Sequence, residues 1–242
     1  MNTHQHTERM AGVLAHPTSF PSPYGIGDFG SGAYAFLDFL AEAGQTIWQI
    51  LPLGHTGFGD SPYQSFSAFA GQPLLISPEK LLEEGLLTEE DLTPLPDFSP
   101  DRVDYGAVIE WKTSLFGKAF DRFRQDPDRG LKKAFSAFCR DQKEWLDDYA
   151  LFMAAKDAHG GRSFLEWPDE ERNPSEALKK EWRQTLAEGI QYYCFLQFLF
   201  FRQWEELHVY AREKGIHIVG DIPIFVSMGS ADVWANPELW NI

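Results

Sequence analysis

A chain of 242 residues that is 43% apolar can bury a sizeable core, and it is long enough for one α/β barrel or for two smaller domains. A formal net charge of −15 repels phosphate backbones and anionic lipid, which argues against nucleic acid and membrane surfaces as partners and favours a neutral ligand. The two cysteines, Cys139 and Cys194, make neither a disulfide framework nor a metal motif.

Both cysteines fall in apolar helical patterns and are expected as buried free thiols. The polar start, residues 1–9, lacks the apolar stretch of a signal peptide. The longest apolar run, residues 192–201, is about half of the roughly 20 residues that a membrane span needs. The expected location is cytoplasmic.

Residues 12–15 read as a short strand. A turn-rich stretch, 16–30, leads to a helix over 31–43, where Ala33, Phe36, Leu37, Leu40 and Ala41 recur at helical spacing. Ser31 is placed to cap its start and Gly44 to end it. The next apolar run, 47–53, reads as a buried strand. Strand, helix and strand make a βαβ unit, which implies parallel strands. Residues 25–30 match G-x-G-x-x-G between strand and helix. Three prolines separate the motif from its strand, and the next strand ends in Pro52-Leu53-Gly54 with no acid. Both features disfavour a dinucleotide site, so the glycines are read as permitting tight turns and Asp28 as a turn or helix-start residue.

Residues 59–73 run Gly-Asp-Ser-Pro-Tyr-Gln-Ser-Phe-Ser-Ala-Phe-Ala-Gly-Gln-Pro. They are too rich in Gly, Ser and Pro for a helix and read as a loop at the carboxyl end of the second strand. Phe58, Tyr63, Phe66 and Phe69 lie in or beside it. Rings among hydroxyls and a carboxylate suit a sugar, whose apolar face a ring covers and whose hydroxyls polar groups bond. The same rings equally suit an ordered loop packed on the core.

A short helix over 78–85, a turn started by Thr88 and a proline-rich linker over 92–103 follow. Helical blocks are expected over 105–124, 129–158 and 175–214. In residues 192–201 apolar side chains surround the helix of the last block, so this part should be buried on most sides. Trp167, in a loop between blocks, is read as core in preference to a sugar platform. Residues 216–226 read as a third strand and the turn after it. Asp221 sits at its carboxyl end, the edge that faces ligand in parallel α/β folds. Three strands do not close a barrel, so the chain is expected to be the amino-terminal part of a larger protein. It divides into two βα units (1–76), a mainly helical insertion (77–214) and a third strand with its loop (215–242).

Residues 19–28, 48–53, 59–73 and 220–226 together resemble the amylomaltase family, the 4-α-glucanotransferases or disproportionating enzymes of the α-amylase clan. The motifs run in family order along almost the whole chain. The resemblance implies the amino-terminal part of a (β/α)8 barrel with helical insertions. It also implies transfer of α-1,4-glucan segments between acceptors with retention, without a metal or organic cofactor. Ser61 and Tyr63 match the family's Ser-Pro-Tyr on the donor side of the site, and Asp221 matches an Asp close to the reacting sugar. Phe58 stands where the family has a Tyr that stacks on glucan at a second site. His55, Gln72 and Gly229 replace a common Pro, a common Asn and a frequent Asp. The family's nucleophilic Asp, its acid/base Glu and a third Asp lie on later strands. No catalytic residue is therefore assigned in this chain, and it is expected to be inactive alone. A non-catalytic maltodextrin-binding module is the alternative. Self-association through the open barrel edge is a further expectation.

Overall fold

Three short strands, β1 (Gly12–Leu14), β2 (Ile47–Gln49) and β3 (His217–Val219), form a parallel sheet in the order β1-β2-β3. The register sets Val13 beside Trp48 and Trp48 beside Ile218. The computed structural model describes residues 9–125 and 129–240, and the side chains of Phe58 and Arg129 lie outside the described residues. One face of the sheet is covered: Trp48 is fully buried, and its indole Nε1 donates to the Ala15 carbonyl at 2.7 Å. The other face carries Leu14, Gln49 and Val219, all exposed. The apolar run 47–53 is thus a strand for its first three residues only, and its strand is packed on a single face.

Parallel pairing obliges the chain to cross over between strands. The first crossover is α1 (Ser31–Glu42), which buries Ala33, Leu37 and Leu40 along one stripe. Gly30, not Ser31, is its N-cap; Ser31 is the first helical residue, and its N–H and hydroxyl both donate to Glu79, at 3.0 and 3.2 Å. A carboxylate at this end also complements the helix dipole. Gly44, at φ 68°, ends the helix.

The second crossover holds α2 (Pro78–Glu83), α3 (Tyr105–Gln125), α4 (Arg129–Asp141), α5 (Lys143–Ala158), α6 (Asp169–Arg172), α7 (Glu176–Thr185) and α8 (Ala187–Glu213). Two of the expected helical blocks are each broken once. Gln142 (φ −102°, ψ 11°) separates α4 from α5, and Leu186 (φ −106°, ψ 17°) separates α7 from α8. Both breaks sit near the bridge region, open to any residue, so no Gly or Pro marks them. Trp167 is buried, stacked on Phe152 and His159 and edge-on to Trp182 and Trp234. Cys194 is buried, Cys139 is half-buried, and both are free.

α8 is the axis of the packing. It touches α1, α3, α4, α5, α7 and β3, and buries every residue from Tyr193 to Phe200. One continuous core runs from Phe20 on the first loop to Trp234 on α9 (Ala231–Ala235). Among the described residues no helix is long and apolar enough to cross a membrane.

A buried ion pair locks the first loop to this core. The Lys112 ammonium on α3 donates to Asp28 Oδ2 at 3.1 Å and to the carbonyls of Leu74 at 2.7 Å and Ile76 at 3.0 Å. All three of its donors are used. Asp28 Oδ1 accepts the Gly30 N–H at 2.9 Å. Burial pushes the Asp28 carboxyl up and the Lys112 ammonium down, and each partner's charge opposes the other's shift. Asp28 is therefore more than a turn residue. Nor are the glycines beside it free: a Cβ on Gly27 would stand 2.1 Å from the Pro17 carbonyl oxygen.

Removing one partner strands the other charge in the core, which typically costs about 3–5 kcal/mol. Lys112→Met should lower the unfolding free energy from urea denaturation by that amount. Lys112→Met with Asp28→Asn should recover part of the loss, because the amide that replaces the carboxylate carries no charge and keeps an acceptor for the Gly30 N–H.

Candidate functional site

All three strands present their carboxyl ends to one edge. After β1 comes His16, after β2 the long loop 50–72, and after β3 Gly220-Asp221. The loop is a folded-back pair of extended segments joined by antiparallel bridges, Gly54 with Gly71 and Thr56 with Ser65. The His55 N–H donates to the Ala70 carbonyl at 3.1 Å and the Phe66 N–H to the His55 carbonyl at 2.8 Å. At the tip, Gly59 (φ 72°) and Asp60 (φ 53°) turn the chain through left-handed backbone.

The loop is held from behind by α8 and α5. The Gln197 amide accepts the Gly71 N–H at 2.7 Å and donates to the Gly71 carbonyl at 2.9 Å. It also donates to the Tyr149 hydroxyl at 3.3 Å, and that hydroxyl bonds His55 Nδ1 at 2.6 Å. A Cβ on Gly71 would lie 2.1 Å from the Phe200 ring, so only glycine lets the loop approach α8 this closely. Gln72 donates to the Thr56 hydroxyl at 2.6 Å and so braces the loop across its width.

Two of the sequence-derived site residues meet. The Tyr63 hydroxyl donates to Asp221 Oδ2 at 2.9 Å across 158 positions of chain. Asp221 Oδ1 accepts the Ile222 N–H at 2.8 Å. The bond to Asp221, more than burial, raises the Tyr63 phenol above its ordinary pKa. Ser61 lies two residues before, and its Oγ accepts the Tyr63 N–H at 3.3 Å. The backbone of Phe58 opens the turn Phe58–Asp60, but its side chain lies outside the described residues. The other rings divide between the two readings of the loop. Phe66 packs edge-on against His55 and lies under the Lys156 ammonium. Tyr63, 45% exposed, and Phe69, 60% exposed and stacked on Trp145, face outward.

Sequence patterns alone did not single out His16. It follows the first strand directly, so its place just beyond that strand's end was the available signal. Its Nε2 lies 3.3 Å from the Pro52 carbonyl, which can only accept, so Nε2 carries the proton and Nδ1 accepts from the Thr18 hydroxyl at 2.7 Å. Burial lowers its pKa and favours this neutral form. His16, Asp60, Gln72 and Tyr105 line a cavity of about 200 Å³ at the same edge. Hydroxyl, carboxylate, imidazole and exposed ring surface together suit a neutral, hydroxyl-rich ligand. Among the described residues no group of three or more potential ligands could hold a metal ion.

His55 makes the loop sensitive to acid. Burial pulls its pKa from the ordinary 6.5 down to about 4. The unfolded chain then binds more protons than the folded one between these values, so stability falls as pH drops through that window, by about 3 kcal/mol in all. Urea denaturation from pH 7 to about 4.5 should show this slope. His55→Gln, which cannot titrate but still bonds Tyr149, should flatten it.

Known proteins share this chain's sequence and fold. The family model described as 4-α-glucanotransferase matches residues 15–242. The 4-α-glucanotransferase of Synechocystis sp. is 50% identical over 233 residues, which are 96% of this chain and 46% of that protein. The enzyme of the same name from Thermus thermophilus is 49% identical over 234 residues, 97% of this chain and 46% of its own length. An amylomaltase from Streptococcus agalactiae, solved in complex with acarbose, superposes with a TM-score of 0.92 at 43% identity, over 97% of this chain and 47% of that one. The amylomaltase from Corynebacterium glutamicum, 20% identical, shares the fold with a TM-score of 0.73 over 94% of this chain and 32% of that one. The chain thus spans about half the length of the curated relatives it matches. With the family model matched from Ala15 onward, the chain belongs to the 4-α-glucanotransferase family.

Proposed function

We propose that this chain forms one side of the α-glucan site of a 4-α-glucanotransferase and leaves the bond-breaking carboxylates to later parts of the barrel. The observation that carries this reading is the Tyr63–Asp221 hydrogen bond at the carboxyl edge of the sheet, formed by two residues of separate family motifs. Ser61, Tyr63 and Asp221 contact the glucan, and Phe58 supplies a stacking face without a hydroxyl at a second site. The acarbose complex of the Streptococcus agalactiae relative supports an α-glucan as the ligand.

The reaction is a double displacement with retention. A carboxylate attacks the anomeric carbon while an acid protonates the leaving oxygen, the two lying about 5 Å apart. A glucan hydroxyl then takes the glycosyl group in place of water. Asp221 is already engaged by Tyr63 and by its own neighbour's N–H, which suits holding a sugar hydroxyl better than attack. Residues 1–76 and 215–242 supply three strands of a (β/α)8 barrel, and 77–214 form its helical insertion. The bare face of the sheet supports this. Ile222, Ile224 and Phe225 beside it are 77%, 87% and 83% exposed, which also favours self-association of the chain alone.

Maltooligosaccharide titrated against the fluorescence of the eight Trp residues should give saturable binding. Tyr63→Phe and Asp221→Asn should each weaken it about fivefold, the worth of one hydrogen bond of ~1 kcal/mol. Maltotriose incubated with the chain should stay intact; glucose with longer maltodextrins would overturn the assignment of the reacting carboxylates to other parts of the barrel. Light scattering that finds a monomer at every concentration would count against the open edge.

A further inference from the structure

The strap from Asp221 to α9 is tied to the site loop at both of its ends. At one end is the Tyr63–Asp221 bond. At the other, Asp232 Oδ1 accepts the Ser67 hydroxyl at 3.1 Å, Asp232 Oδ2 accepts the Ala68 N–H at 2.7 Å, and the Ala231 N–H donates to the Phe66 carbonyl at 2.7 Å. Asp232 is half-buried and takes part in none of the described ion pairs. Burial pushes its carboxyl up, and the bonds from Ala68 and Ser67 oppose that shift. A carboxylate removed from water without a cation is costly unless its hydrogen bonds do something for the fold.

We propose that Asp232 is the positioning residue for the Tyr63–Asp221 pair. Ser67 and Tyr63 belong to one bonded unit: Gln64 N–H donates to the Ser61 carbonyl at 3.0 Å, Gly57 N–H to the Gln64 carbonyl at 2.7 Å, and Phe66 N–H to His55. Fixing Ser67 and Ala68 against α9 therefore sets where Tyr63 stands relative to the strap that also carries Asp221. Of the intervening residues, Ile222, Ile224 and Phe225 are exposed, and Val226 is half-buried against the core. Without Asp232 the Ala231–Phe66 bond alone ties the start of α9 to the loop, so Ser67 and Ala68 shift and two exposed side chains in water stay paired less of the time. An acid that served only the first turn of α9 would leave Tyr63 untouched.

The test follows the Tyr63 phenol by NMR in protein labelled at the tyrosine ring carbon that bears the hydroxyl, with the resonance identified by its loss in Tyr63→Phe. In the native chain the phenol should titrate above the ordinary tyrosine value, and Asp221→Asn should remove that elevation. Asp232→Ala should remove at least half of it. Ser67→Ala should remove less, in the same direction, and Asp232→Asn should retain most because its carbonyl still accepts from Ser67. A folded Asp232→Ala whose Tyr63 titration matches the native chain overturns the proposal. If that variant does not fold, an unchanged titration in folded Ser67→Ala overturns it equally. For sugar recognition the inference rests on the reading of this site as a glucan site. Maltooligosaccharide affinity should fall in Asp232→Ala as far as in Tyr63→Phe. Absence of binding to the native chain would defeat that reading, while the NMR arm would still decide the role of Asp232.

Discussion

The site loop and the turn that follows it stand where they do because two side-chain amides on α8 behave as pieces of backbone. Gln197 accepts from and donates to Gly71, and Gln203 does the same to Ser77, its N–H donor at 2.7 Å and its carbonyl at 3.4 Å. Each glutamine bonds a residue 126 positions earlier. An amide has one acceptor and a donor in nearly the geometry of a peptide unit, so each contact imitates one rung of a sheet. The surrounding surface of α8 is apolar and non-directional. Hydrophobic burial alone would tolerate a rotation of the helix or a slide along it. The amides do not, because any slip leaves buried polar groups without partners.

The same logic recurs wherever a loop must be held without regular structure. Lys112 directs its three donors to Asp28 and to the carbonyls of Leu74 and Ile76. Tyr149 bridges His55 to Gln197. Asp232 takes the hydroxyl and N–H of consecutive loop residues. These buried or half-buried polar groups surround a loop whose own exposed residues are the ones suited to a ligand. Scaffold and site are thereby separated: inward groups such as Gln197 and Lys112 are saturated, and outward groups such as Tyr63 and Asp221 keep lone pairs to offer.

Much of the site was legible along the chain. Asp221 was identifiable because a carboxylate directly after a β-branched strand sits at the edge where parallel sheets face their ligands. Tyr63 and Ser61 stood out through a resemblance between motifs. Their meeting with Asp221 was not legible, because it depends on two loops separated by 158 positions closing on each other. His16 was passed over because its setting is made by the Pro52 carbonyl, on a different strand's loop. Lys112 was not singled out, and Gln197 was expected only as part of a buried apolar segment, since a sequence records a polar residue but not the partner that makes its burial tolerable.

By itself the sequence determined the βαβ start, the parallel strands, the long helices and the burial of residues 192–201 on α8, because hydrophobic period and turn chemistry are local properties. Only the tertiary structure decided where the helical blocks break, at Gln142 and Leu186, for those residues take backbone angles open to any side chain. It also decided that the sheet covers one face and bares the other, and which polar residues turn inward. Those outcomes belong to contacts between distant segments, whose energies no local pattern contains.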